Sequence, residues 1–364
     1  MSEEQANVPT AAPSRRRRLY ALAGVVLAVA LAGLIWRATE APHYFSTTVA
    51  LASVAFPDPD HAWVAGGTDR TDEGVADATT DGGLVWQEQP FATRWDPDEI
   101  AFADARRGWA VCTPRQTGDS QSSDDDAVLA TTDGGLTWTR QAVRTRCTLE
   151  DITCVSATHA WAVGGVGDKG GVIIATADGG ATWTRQYAAK AGGLSSVAFA
   201  DARHGWAVGD AGIVATTDGG AHWRRQPYPG EPTVLTGVAC AGASHAWAVG
   251  WGDGGGIVLA TTDGGTTWGV QYVSDRLAGY NGVAFADALH GWVIGLGGTI
   301  IATTDGGRTW RAERSGTTAY LADVAFADSR HGLVVGNHFH SNDASGFDGS
   351  VVLRTTDGGA TWKP

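Results

Sequence analysis

One string of eight residues sets the terms for this chain: TTDGGATW at 355–362 recurs, nearly unchanged, six more times. The copies read TTDGGLVW (79–86), TTDGGLTW (131–138), TADGGATW (176–183), TTDGGAHW (216–223), TTDGGTTW (261–268) and TTDGGRTW (303–310). Their acidic and indole residues are Asp81 and Trp86, Asp133 and Trp138, Asp178 and Trp183, Asp218 and Trp223, Asp263 and Trp268, Asp305 and Trp310, and Asp357 and Trp362. Successive aspartates stand 40 to 52 residues apart, the repeat length of a four-stranded propeller blade.

The chemistry of the octad explains why it persists. Apolar residues precede it, as in 212–215, so Asp-Gly-Gly falls where a tight turn joins two antiparallel strands. The carboxylate can accept N–H groups from the residues that follow, and glycine supplies the positive φ such turns require. The tryptophan five residues on can fold back over the turn, burying about 150 to 250 Å². Seven equivalent copies imply a structural duty, so these aspartates are expected to be neither catalytic nor metal ligands.

A second string precedes each octad, clearest as SVAFADARHGWAVG at 196–209, with relatives beginning at 53, 99, 151, 237, 282 and 323. Alternation in its two halves predicts two more strands joined by a short polar turn. Each unit then holds four strands, and seven units predict an all-β, seven-bladed β-propeller. Blade limits follow at 50–90, 97–142, 150–187, 193–227, 234–272, 279–313 and 320–364. A parallel β-solenoid competes, but its coils are shorter and lack this hairpin chemistry. The recurring His61, His159, His204, His245, His290 and His331, with Arg107 in blade 2, are expected to hold turns. Trp63, Trp109, Trp161, Trp206, Trp247 and Trp292, with Leu333 in the last blade, are expected to pack between blades.

Fifty-one glycines and sixteen tryptophans suit short strands and tight turns. The net charge is −13, which argues against a nucleic-acid partner. The first forty residues read as targeting. A polar tail at 1–18 ends in Arg15 to Arg18, and the uncharged run 19–36 is long enough to cross a bilayer as a helix. Basic residues on the N-terminal side keep that side in the cytoplasm. The domains expected are a cytoplasmic tail (1–18), a transmembrane anchor (19–36), a linker (37–49) and a propeller (50–364) on the extracytoplasmic side, periplasmic or external. A cleaved signal peptide is the alternative to the uncleaved anchor.

Duplicated turns share one face of the disc in this reading, so binding is expected on the other, where loops vary. The candidate partner-binding residues there are Arg94, Trp95, Arg144, Arg146, Lys190, Tyr228, Arg276, Tyr280, Arg314 and Tyr320. Cys112 and Cys147 fall on that face as a possible disulfide, whereas Cys154 and Cys240 occupy phenylalanine positions as apolar fillers. His338 and His340, near Asp343 and Asp348, are a weak metal motif in a Gly-Ser-Asn loop, and Asp124 to Asp126 read as a solvated charge run. No metal or cofactor is expected.

At this point the residues resemble a known group. The octads resemble Asp-box repeats, also called bacterial neuraminidase repeats. Their pairing with VAFADARHGWAVG is similar to the photosystem II stability/assembly factor family of cyanobacteria and chloroplasts, over about residues 50–362. That resemblance implies a non-enzymatic chaperone that binds a membrane-protein subunit and carries an arginine patch, which the crossover arginines could supply. Sialidases and xyloglucan-cleaving glycosidases also use Asp-box propellers. No Phe/Tyr-Arg-Ile-Pro motif occurs here, and glutamate beyond residue 150 is limited to Glu231 and Glu313. A membrane-anchored assembly scaffold is therefore expected, with a glycosidase or a carbohydrate-binding cell-surface propeller as the alternatives.

Overall fold

The computed structural model describes residues 49–67, 74–91, 95–114, 126–143, 147–165, 170–229, 234–252, 255–274, 279–339 and 347–364. The tail, anchor and most of the linker lie outside them. Among the described residues no helix is long and apolar enough to cross a membrane.

Seven antiparallel sheets follow one another along the chain, each in simple meander order. The first strands are Ala50–Ala55, Trp95–Phe102, Thr148–Cys154, Ser196–Phe199, Val234–Ala241, Tyr280–Phe285 and Tyr320–Phe326. Second strands such as Gly205–Gly209 and third strands such as Gly212–Thr216 are buried along their whole length, and the others are buried over most of it or, in blade 7's third strand, in part. A neighbouring blade covers each face of these strands, so they read as apolar runs instead of alternating ones. Fourth strands such as Arg224–Gln226 are outermost and largely exposed. Blade 7 has three full strands, and a single bridge between Arg354 and Lys363 stands in place of its fourth.

The core lies between blades. The second-strand tryptophan of one blade stacks on the first-strand phenylalanine of the next: Trp63 on Phe102 at 3.7 Å, Trp161 on Phe199 at 3.6 Å, Trp247 on Phe285 and Trp292 on Phe326 at 3.4 Å. The box tryptophan then meets the same phenylalanine edge-on, as Trp138, Trp223, Trp310 and Trp362 do. Such aromatic pairs add about 0.5 to 1.5 kcal/mol beyond burial. At the joints between blades 2 and 3 and between blades 4 and 5 the phenylalanine is replaced by Cys154 and Cys240. Both thiols pack against the clusters there, and burial pushes them up to about 12. Clefts of about 380 and 270 Å³ lie at these two joints.

Polar contacts make the joints specific. The first glycine of every box donates its N–H to the first turn of its own blade, as Gly219 does to the Arg203 carbonyl at 2.9 Å. In five joints its carbonyl accepts from the preceding blade. The donors are Trp63 to Gly134 (2.8 Å), Gln186 to Gly219 (2.9 Å), Gln271 to Gly306 (3.0 Å), Trp292 to Gly358 (2.9 Å) and Arg354 to Gly82 (2.6 Å). These glutamines belong to a series eight residues beyond each box aspartate: Gln89, Gln141, Gln186, Gln226 and Gln271, then Glu313. Carboxylate cannot donate from Glu313, and there Trp292 does so. The second glycine of the box is required because a Cβ at Gly220, at φ 91°, would collide with the Gln186 amide.

Among the described residues the ring closes by side chains, not by a shared strand. Where six blades pair tryptophan with alanine across the second and third strands, as in Trp206 and Ala215, blade 7 pairs Leu333 with Arg354. The exchange keeps a donor, since the Arg354 guanidinium reaches the Gly82 carbonyl of blade 1. The Asn337 side chain bonds both the N–H and the carbonyl of Leu51 at 2.9 Å, and Ser350 donates to the Val49 carbonyl. An apolar cluster of Leu51, Val54, Phe56 and Trp86 with Leu333, Val335 and Val352 fills the seam.

Two outcomes are expected in denaturant titrations. Arg354→Ala leaves the Gly82 carbonyl without its charged donor and should cost about 1 to 3 kcal/mol; an unchanged midpoint would show that the seam does not rely on it. Cys240→Phe should restore the stack on Trp206 and raise stability by about 0.5 to 1.5 kcal/mol, whereas a lower midpoint would mean that the cleft cannot admit the ring.

Candidate functional site

The box face is fully occupied with holding itself together. In each box the threonine hydroxyl donates to the aspartate and accepts the second glycine's N–H, as Thr176 does with Asp178 and Gly180. Asp178 also accepts the N–H and hydroxyl of Thr182 at 2.9 and 2.6 Å, and these bonds hold its carboxyl down at about 2. Asp263 and Asp305 are held at about 2 by Thr267 and Thr309, and Asp133, Asp218 and Asp357 are also lowered by the bonds they accept. The recurring histidines hold turns as well. Nδ1 of His61, His204, His290 and His331 meets Asp58, Asp201, Asp287 and Asp328 within 3.0 Å.

A second set of polar groups surrounds the central channel, and the repeat strings do not announce it. Six of the first strands carry a bulge just before their Val or Ile. Bulges turn extra side chains toward the neighbouring blade. Asp323 accepts the Val54 N–H, Ser53 accepts that of Ile100, Asp151 that of Val197, and Ser196 that of Val238. Thr236 donates to the Tyr280 carbonyl at 2.7 Å and Asn281 to the Leu321 carbonyl at 2.8 Å. The Ser53 hydroxyl donates to Glu99. Burial raises three carboxyls at the channel: Asp151 to about 6, and Glu99 and Asp323 in the same direction, Glu99 with further repulsion from Asp323 and Asp151. Among the described residues no three histidine, cysteine or acidic side chains are placed to hold a metal ion.

The opposite face is the unrepeated one. A cavity of about 780 Å³ lies around blade 6 on this face, with Tyr272 of blade 5 and His338 of blade 7 on its walls. The sequence-predicted residues divide here. Arg314 and Tyr280 line this cavity, Lys190 and Tyr320 are exposed, and Tyr228 is half-buried. Trp95 and Tyr280 are buried, which corrects their reading as contact residues. Each begins a first strand and turns into an interblade cluster, Trp95 beneath the Arg140 guanidinium at 5.0 Å. Arg94, Arg144, Arg146 and Arg276 lie outside the described residues, as do His340 and Asp343. His338 approaches the Thr317 hydroxyl at 3.2 Å. Asp126 accepts the Leu149 N–H at 2.7 Å and so ties blade 2 to blade 3, which a solvated charge run would not do. No disulfide joins Cys112 and Cys147: Cys112 is buried in the cluster between blades 1 and 2, whereas Cys147 packs against that between blades 2 and 3.

Comparison with known proteins agrees with this geometry. The family model described as Photosynthesis system II assembly factor YCF48 matches residues 190–282. The chain is an Asp-box propeller similar to the photosystem II assembly factors. Solved structures share the fold at low identity. One is a YCF48 bound to D1 peptide (18% identity, TM-score 0.63, covering 86% of this chain and 95% of that one). Another is YCF48 from Cyanidioschyzon merolae (21%, 0.61, 85% and 96%). A third is the GH74 xyloglucanase from Xanthomonas campestris (15%, 0.64, 89% and 54%). No curated protein matches by sequence.

Sequence reasoning passed over the channel groups of this assembly-factor-like propeller. The available signal was a polar residue directly before the Val or Ile of the first strand, as at Ser53, Glu99, Asp151, Ser196 and Asp323. A carboxyl whose pKa is higher in the fold than in the unfolded chain binds its proton more tightly when folded. Its contribution is complete below about pH 4 and is lost as pH rises through about 6 for Asp151. The box aspartates act oppositely and lose their contribution as pH falls toward about 2. Denaturation midpoints should therefore decline from about pH 5 to about pH 8, and Glu99→Gln should flatten the decline. A wild-type profile that rises over that interval would refute the assignment.

Proposed function

We propose that the chain is a non-enzymatic scaffold that binds a membrane-protein subunit on the extracytoplasmic side. In this reading residues 19–36 anchor it in the cytoplasmic membrane and the variable-loop face makes the contact. One observation carries the reading: the box aspartates and the turn histidines are spent on internal hydrogen bonds. What is left for a partner is the unrepeated face, with exposed Lys190, Arg314 and Tyr320. The match to an assembly-factor family and the likeness to a YCF48 bound to D1 peptide favour a polypeptide of a membrane protein as the partner. The glycosidase reading draws on the fold of the xyloglucanase alone.

A photo-crosslinking residue introduced at Lys190, Arg314 or Tyr320 in cells should capture an integral-membrane subunit, and one at Leu84 on the box face should not. Capture from Leu84 alone, or release of sugar from oligosaccharides by the purified chain, would overturn the scaffold.

A further inference from the structure

The cavity around blade 6 is lined by hydroxyl, aromatic and charged residues of the variable face. We infer that it is a saccharide-binding site, which holds a short neutral oligosaccharide without cleaving it. The inference shares Arg314 and Tyr320 with the contact face of the scaffold reading and rests on the cavity itself.

Its volume, about 780 Å³, falls in the range of about 300 to 1,000 Å³ typical of small-molecule sites. The lining includes Thr317 and Thr318 with their hydroxyls, the half-buried Tyr272, and Glu313 and Arg314, which are consecutive on one strand. Opposed charges and hydroxyls give donors and acceptors in mixed order, which suits a neutral polyhydroxylated ligand. A phosphate or nucleotide would call for a cluster of cations, and an acyl chain for an apolar floor.

The rim is built and held. The 3₁₀ turn Leu296–Gly298 donates from Gly298 to the Ala319 carbonyl at 2.7 Å. Opposite it, the Ser315 hydroxyl bonds the Thr317 carbonyl, and the Thr317 hydroxyl meets His338. Gly297 and Gly316 line the cavity at φ 65° and 76°, and a Cβ at either would meet nothing within 4 Å.

Exposed aromatic side chains stand on the same face in the two neighbouring blades. Among the described residues the exposed large aromatic ones are Trp251, Tyr320 and Phe339. All three stand at strand ends on the variable face, in blade 5 and blade 7 on either side of the cavity. Flat, amphipathic rings of this kind pack against the C–H faces of sugars while their rims stay wet. Cleavage of a glycosidic bond would call for two carboxyl groups about 5 to 9.5 Å apart, and the described walls carry only Glu313.

The test uses the full chain in a detergent without a sugar headgroup, titrated with cellotetraose, chitotetraose and xyloglucan heptasaccharide by calorimetry and saturation-transfer NMR. At least one probe should bind. Arg314→Ala and Thr317→Val should each weaken binding about tenfold or more, Leu84→Ala should leave it unchanged, and no reducing sugar should be released. Failure of all three probes to bind overturns the inference, as does binding that survives both cavity substitutions. Turnover of a probe, or retention of peptides from a protein digest at these residues in place of every sugar, overturns it too.

Discussion

The fold depends on one peptide unit, the first glycine of each Asp box. Its N–H is bonded to the first turn of its own blade and, in five joints, its carbonyl is bonded to the blade before. Glycine is required there because the φ values run from 69° to 78°, where a side chain would be strained. The aspartate fixes the turn, the tryptophan covers it, and the preceding blade caps it. A net hydrogen bond is worth only about 1 kcal/mol, but an uncapped buried carbonyl costs more, so the cap decides how blades meet.

That requirement explains substitutions that look like exceptions. Blade 7 gives up the tryptophan and alanine pair of the other six for Leu333 and Arg354, and the guanidinium keeps the cap on Gly82 where the indole would have been. Blade 6 carries Glu313 at the glutamine position and caps through Trp292. Where neither a stacked phenylalanine nor a cap is present, at Cys154 and Cys240, clefts remain. The ring is thus an average of strong and weak joints, and its seam is among the well-bonded ones.

Stability and function occupy different parts of the disc. Bulged first strands place carboxylates in a channel of about 240 Å³, where they serve as acceptors for the neighbouring blade at the cost of mutual repulsion. In a chain of net charge −13, the raised carboxyls Glu99, Asp151 and Asp323 oppose folding more as they ionise. In the proposed reading, binding falls to the face whose loops are not copies, where the described residues around blades 5 to 7 include hydroxyls, the Arg314 guanidinium and exposed rings.

Repetition made the fold legible in the sequence. Seven boxes at blade spacing, each with two upstream strands, determine an all-β ring of seven sheets, because a local turn motif needs no long-range partner to be recognised. Cys154 and Cys240 as fillers and the histidines as turn holders were legible for the same reason. Contacts between blades were not, since they join residues tens or hundreds of positions apart: Asn337 with Leu51, Arg354 with Gly82, Ser53 with Glu99. Strand ends misled for a related reason. Trp95 and Tyr280 read as surface because they sit in crossovers, yet the neighbouring blade covers them, and only the packing of one sheet on the next decides which ring faces water.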